Sequence, residues 1–294
     1  MSEPRQDIVV GVDGSPAGDA ALSWALAHAA VSGDHVTAVH TWQTPVMIGP
    51  GEAYLSVLDE QELTAQAQAV LDEALARAAA RVTGGSAHVS SVCVAGSAPQ
   101  VLEERARDAA MLVLGRRDES RRVFGSTVDG ALHHVACPVV VVHVEAHAAA
   151  QSGRVVVAVA DGQASDGALA WAARTAATLH RPLVAVHVRH PDQGPKHLGQ
   201  PTGWTGAKEI DDVALKHLRE QVHEAAPDLP VPAAVDVLVG HAADELTRHV
   251  RADDLLVVGS RGRGTLAGWF LGSTSHHLVR EAHCPVVVVR EPAE

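Results

Sequence analysis

The sequence predicts an α/β protein built as two tandem doubly wound sheets, each of five parallel strands in the order 3-2-1-4-5. Three observations predict it. The 294-residue chain repeats itself at a spacing of 147: VACPVVVV at 135–142 returns as AHCPVVVV at 282–289, and Trp24, Val39-His40 and Cys137 return as Trp171, Val186-His187 and Cys284. Each copy alternates β-rich apolar runs with helical patterns, which is how strands joined by helical crossovers read. The runs are nearly continuous valine, as expected of strands buried on both faces.

In the first copy the strands are expected at 8–12, 35–42, 88–95, 111–115 and 139–144; in the second, at 154–160, 182–189, 232–239, 255–259 and 285–290. Leu63, Ala67, Val70, Leu71, Ala74, Leu75 and Ala78 recur at helical spacing through 60–82. Gly33 suits a C-cap, and Pro138 and Pro285 stop the last helix of each copy. The small, polar stretch EAHAAAQSG at 145–153 is the join, which gives domains 1–146 and 153–294 with a linker at 147–152. The segments after strand 2, 43–59 and 190–208, contain Met47, Tyr54 and Trp204 and read as irregular surface loops.

Composition narrows the function. Apolar residues make up 47% and charged residues 20%, as in soluble globular chains, and with aromatics at 3% the core must be aliphatic. The formal charge of −12 argues against nucleic acid or an anionic membrane as partner. The polar start MSEPRQD is not a signal peptide, no run is long enough to span a membrane, and three unpaired cysteines suit a reducing compartment, so a cytoplasmic location is expected. Cys137 and Cys284, each before a proline and valines, read as buried thiols, and Trp24 and Trp171 as core. The 19 histidines include His133-His134 and His276-His277, but helix neighbours point about 100° apart and chelate poorly. No metal site is expected.

In a doubly wound sheet ligands bind at the carboxyl ends of the strands, where the strand order reverses. That points to the loops after strands 1 and 4. After strand 4 of the second copy, Gly259, Gly262, Gly272 and Ser273 form G-x2-G-x9-G-S. Glycines let main-chain N–H groups approach an anion, and a helix starting at Ser273-Thr274-Ser275 adds its own. Arg261 and Arg263 can supply charge. The alternative is a surface loop whose Gly272-Ser273 merely begins a helix. Gly262, Gly264 and Ala267 match the dinucleotide fingerprint only in part, after the wrong strand, and no lysine completes a P-loop. After strand 1 of the first copy, Asp13-Gly14-Ser15 either holds a ribose hydroxyl or metal, or simply starts a helix.

These residues resemble the universal stress protein family: VGVDGSPAGDAALSWALAHA, the G-x2-G-x9-G-S loop and the CPVVVV ending all follow its pattern, in both copies. The resemblance implies an adenine nucleotide alpha hydrolase-like fold and ATP as cofactor, with Mg²⁺ beside the phosphates. Carried over, adenine would lie near Val39-His40 or Val186-His187 and ribose at Asp13 or its counterpart. Phosphates would sit on Gly259, Arg261, Gly262, Arg263, Gly264, Gly272, Ser273, Thr274 and Ser275, or on Gly115, Arg116, Gly125, Ser126 and Thr127. It also implies that the two domains pair through their last strands, and that a homodimer can form.

Both copies depart from the pattern. The offset is 147 at Trp24, 144 at Gly115 and 147 again at Gly125, so the first copy's loop is three residues shorter, and Asp118 replaces its second glycine. In the second copy Ala160 stands opposite Asp13, with Asp161-Gly162 one residue later. The second site is therefore expected to bind and the first to be weaker or empty. The expected function is a non-catalytic, ATP-binding regulator of stress response or growth. The alternatives are a slow ATPase or other ATP-using enzyme, and a nucleotide-free interaction module.

Overall fold

A computed structural model describes residues 6–44, 46–49, 52–55, 59–82, 87–116, 125–144, 152–160, 165–190, 207–225, 227, 233–260 and 271–290. The chain divides into two compact units, Met1–His147 and Ala148–Glu294.

In the first unit, β1 (Asp7–Gly11), α1 (Pro16–Ser32) and β2 (His35–Trp42) are followed by a short pair, β3 (Val46–Gly49) and β4 (Glu52–Leu55). Then come α2 (Glu60–Ala79), β5 (His88–Ala95), α3 (Ala98–Arg105), β6 (Met111–Arg116), α4 (Ser126–His134) and β7 (Val139–His143). Strand pairing runs β5–β2–β1–β6–β7, all parallel, which is the predicted 3-2-1-4-5. β1, β6 and β7 are buried along nearly their whole length, as their valine runs require. On α2 the buried residues are Ala67, Leu71, Ala74 and Ala78, one stripe at helical spacing. α1 ends where expected: Gly33 is left-handed, at φ 79°, and its N–H reaches the Ala29 carbonyl at 2.8 Å. Trp24 is core, stacked on His28 with ring centres 5.1 Å apart.

One expectation fails. The segment after strand 2 is not wholly irregular: β3 and β4 pair antiparallel, with Gly49 opposite Glu52. Pro50-Gly51 between two short apolar runs is a hairpin signal, and it outweighs the irregular look of the surrounding sequence.

The second unit repeats the plan with β8 (Val155–Ala158), α5 (Asp166–Thr178), β9 (Leu183–Arg189), α6 (Ala207–Ala225), β10 (Ala234–Val239), α7 (Ala242–His249), β11 (Leu255–Gly259), α8 (Ser273–Glu281) and β12 (Val286–Val289). Its order, β10–β9–β8–β11–β12, is again 3-2-1-4-5 and parallel throughout. Ala214, Leu218 and Val222 form the buried stripe of α6, and Trp171 is core on α5. Cys284 is fully buried, and burial pushes its thiol up to about 12.

The amino-terminal edge of the second sheet is held by charge. Asp254 is completely buried. Its carboxylate accepts from the Arg154 backbone N–H (2.8 Å), Arg154 Nε (3.1 Å) and Nη2 (2.7 Å), and the Arg251 N–H (2.9 Å). Burial alone would raise its pKa; the Arg154 guanidinium and the two backbone donors outweigh that and hold it below the usual range. Arg181 donates to the carbonyls of Asp253 (2.7 Å), Arg154 (3.2 Å) and Gly153. This clamp leaves the opposite edge of the sheet to the loops that form the site.

Candidate functional site

The second unit has a hollow of about 280 Å³ at the carboxyl ends of β8, β9 and β11, where strand order reverses. Val186, Val188, Ala242 and Leu246 make one side apolar, while Gly259, Gly272, Ser273, Thr274 and Ser275 make the other side polar. The predicted Val186, Gly259 and Gly272-Ser273-Thr274-Ser275 thus converge. His187, the other predicted strand-2 residue, is buried beside them, and its Nδ1–H donates to the Val159 carbonyl at 2.9 Å. A carbonyl only accepts, so the ring is fixed in that tautomer, and burial lowers its pKa and keeps it neutral. It ties β9 to the turn after β8. His40 does the same in the first unit, to Val12 O at 2.7 Å.

The strand-4 loop is closed at its base. Ser260 N–H donates to Val289 O and Gly272 N–H to Ser260 O, both at 2.8 Å. Ser275 Oγ donates to Gly259 O at 2.6 Å, so it is engaged within the fold. These bonds set the start of α8 against the end of β11. Its N-cap, Gly272, offers no side chain to the helix, and no acidic residue lies in the first turn. The opening amides of an α-helix have no intrahelical partner and carry partial positive charge. The polar wall is therefore suited to an anion.

The first unit has a smaller hollow of about 100 Å³, walled in part by Asp13, Val39, Gly115 and Thr127. Arg116 is buried at the end of β6, opposite His143, and Gly125-Ser126 begin α4. That helix start carries Asp129, an acid in the first turn, where α8 has His276. Asp13-Gly14-Ser15 makes a helix-start turn: Ser15 Oγ accepts from Gly18 N–H at 3.2 Å and donates to Asp13 Oδ1 at 2.5 Å. Gly115 serves packing. A Cβ there would sit 2.0 Å from the Ala17 carbonyl oxygen, so its missing side chain admits the backbone of α1.

Ser165 was not singled out from the sequence. It lines the larger hollow, and its Oγ accepts from the Ala160 N–H at 2.9 Å. Its counterpart is Gly18 (165 − 147 = 18), and a Cβ on Gly18 would lie 2.8 Å from Asp13 Oδ1. The first copy thus combines a carboxylate with a glycine, and the second an alanine with a serine. Applying the repeat offset to Gly18 would have found it.

The universal stress protein family model matches twice, over residues 4–143 and 152–290. The chain belongs to the universal stress protein family. It is 33% identical over 300 residues to a universal stress protein of Mycolicibacterium smegmatis, covering 99% of each chain. It is 30% identical over 296 residues to a universal stress protein of Mycobacterium tuberculosis, covering 97% of this chain and 96% of that one. A universal stress protein from Archaeoglobus fulgidus of known structure shares the fold, with a TM-score of 0.69 at 20% identity, covering 97% and 98% of the two chains. Both copies thus carry the family's domain. Of the predicted site, Asp161, Gly162, Arg261, Gly262, Arg263 and Gly264 lie outside the described residues, as do Arg117 and Asp118 of the shorter loop. Among the described residues no helix is long and apolar enough to cross a membrane.

Proposed function

We propose that this universal stress protein binds ATP, with Mg²⁺, in the hollow of its second unit, and acts as a non-catalytic regulator. The observation that carries the reading is the pairing of an apolar wall with an acid-free, side-chain-uncapped helix start. An adenine base suits Val186, Val188, Ala242 and Leu246, and a polyphosphate suits the amides and hydroxyls of Ser273 and Thr274. The hollow's 280 Å³ is near the lower end of the roughly 300–1,000 Å³ typical of small-molecule sites, whereas the first unit's 100 Å³ falls well short. Asp129, an acid in the first turn of α4, further disfavours an anion in the first unit. Two sites in one chain would then differ, one responding to nucleotide and one not.

The regulatory reading rests on the side chains at hand. Among the described residues lining the larger hollow, the polar ones are hydroxyl-bearing, and no His, Asp, Glu, Lys or Cys stands there to act as base or nucleophile. Bound nucleotide would favour one conformation or assembly of the protein through differential affinity.

The test is calorimetric titration of the full chain with Mg-ATP, alongside Gly262→Asp plus Gly272→Glu, which puts carboxylates at two glycines that the family resemblance assigns to the phosphates. Wild type is expected to bind one nucleotide per chain, and the variant to bind at least about tenfold more weakly with its circular dichroism unchanged. Unchanged affinity moves the site elsewhere. Phosphate release above about 1 s⁻¹ at saturation, typical of enzymes, overturns the non-catalytic reading.

A further inference from the structure

Beyond the hollow's apolar wall, two histidines far apart in sequence meet. His190 follows β9, two residues past Val188, and His241 precedes α7, one residue before Ala242. The Gly240 N–H donates to the Arg189 carbonyl at 3.0 Å, which fastens the two strand ends together. The imidazole centres are 5.2 Å apart, with ring planes at 70°. Tetrahedral zinc holds imidazole nitrogens at about 2.0–2.1 Å, so each ring centre lies about 3.2 Å from the metal and two such centres about 5.2 Å from each other. The observed spacing, which is also that of an ordinary edge-to-face ring contact, is one that two imidazoles around a single ion can adopt.

The first turn of α7 carries a carboxylate. Glu245 is four residues after His241, and its N–H donates to the His241 carbonyl at 2.9 Å. Its Oε1 is packed over Gly240, 2.7 Å from where a Cβ there would be, and accepts from Arg248 Nη1 at 2.5 Å. Among the described residues no group of three or more His, Cys, Asp or Glu is placed to hold a metal ion, so water must complete any shell around this pair.

The first copy supplies the comparison. The same junction exists there: Gly96 N–H donates to Trp42 O at 2.8 Å, and a Cβ on Gly96 would face Val101 at 3.1 Å. By the repeat offsets, His190 corresponds to Gln43 (190 − 147), His241 to Ser97 (241 − 144) and Glu245 to Val101 (245 − 144). Three positions at this junction differ together, and all three take metal-compatible side chains only in the second copy. Packing alone asks for no such change, since the backbone junction is the same in both.

We propose that His190 and His241 form a binding site for a divalent transition metal such as Zn²⁺ or Co²⁺, distinct from any Mg²⁺ that accompanies phosphates. One nitrogen of each ring ligates the ion, waters complete the shell, and the Glu245 carboxylate accepts a hydrogen bond from a bound water. Imidazole ligands select such metals over Mg²⁺ and Ca²⁺, which prefer oxygen. Sequence spacing hides the site, because its two ligands are 51 residues apart (241 − 190) and lie on different elements.

The experiment titrates nucleotide-free full chain with Co²⁺, reading its visible absorption, and then displaces it with Zn²⁺. The comparison is with His190→Ala, His241→Ala and the double variant, each checked for an unchanged thermal transition in metal-free buffer. Wild type is expected to bind one Co²⁺ more tightly than its scattered histidines do. Each single variant should weaken that ion at least about tenfold, and the double variant should abolish it. Glu245→Gln should weaken it less than either histidine change. If all variants keep the wild-type stoichiometry and affinity, or if wild type takes up no such ion, the proposal is overturned. Nucleotide is absent throughout, so failure here leaves the ATP reading untouched, and failure there leaves this one.

Discussion

Asp254 is where one side-chain change should cost the second unit most. Asp254→Ala removes a buried carboxylate and with it four hydrogen bonds, three to Arg154 and one to the Arg251 N–H. Taking one partner from a buried ion pair costs about 3–5 kcal/mol, because the other charge is left desolvated. The Arg154 side chain keeps 21% of its exposure, so water can reach it and the lower end, about 3 kcal/mol, applies. For a domain of roughly 150 residues each kcal/mol lowers Tm by about 2–4 °C, so a fall of about 10 °C is expected at pH 7 in a calorimetric melt. The pH dependence has a definite sign. The folded pKa of Asp254 is depressed, so its contribution is fully present above the unfolded value of about 3.9 and fades as pH falls through the folded one. Asp254→Asn should therefore melt lower than wild type at pH 7, with the gap closing below about pH 4. A Tm shift under about 3 °C at neutral pH, or a gap that does not change with acid, would refute the reasoning.

Two further outcomes concern the first unit. Gly115→Ala drives a methyl against the Ala17 carbonyl, so the backbone of α1 must move, and a loss of at least about 2 kcal/mol is expected in urea titration. Gly125→Ala, where none of the described residues lies within 4 Å, is the control and should change stability by well under half of that. Ser15→Ala removes the α1 cap and should cost about 1 kcal/mol in the same assay; no loss would mean that Asp13 or water takes over the Gly18 N–H.

Much of this architecture could be read directly because the physics that fixes it is local or repetitive. The 147-residue repeat and valine runs such as 139–142 and 286–289 declare buried parallel strands, and in both copies those strands take the order 3-2-1-4-5. Gly33 and the α2 stripe obey short-range rules of capping and periodicity. The features not legible in the sequence depend on contacts that no spacing encodes. Gly115 looks like a phosphate glycine but is also a packing glycine, and only the approach of α1 reveals it. His190 and His241 are 51 residues apart, and the contact of their rings arises only where the ends of β9 and β10 come together, which no sequence spacing encodes. Ser165 satisfies the Ala160 amide, a need that arises only once the turn is built.

The exchange of Asp13 and Gly18 for Ala160 and Ser165 bears on how the halves can change further. Adding a side chain at 18 while the acid remains at 13 sets a Cβ 2.8 Å from its oxygen, so the carboxylate must turn aside. That turn disturbs the hydrogen bonds it accepts from the Ser15 N–H and hydroxyl. Positions 13 and 18 are thus coupled, and the first half accommodates a serine at 18 more readily once the acid at 13 is gone.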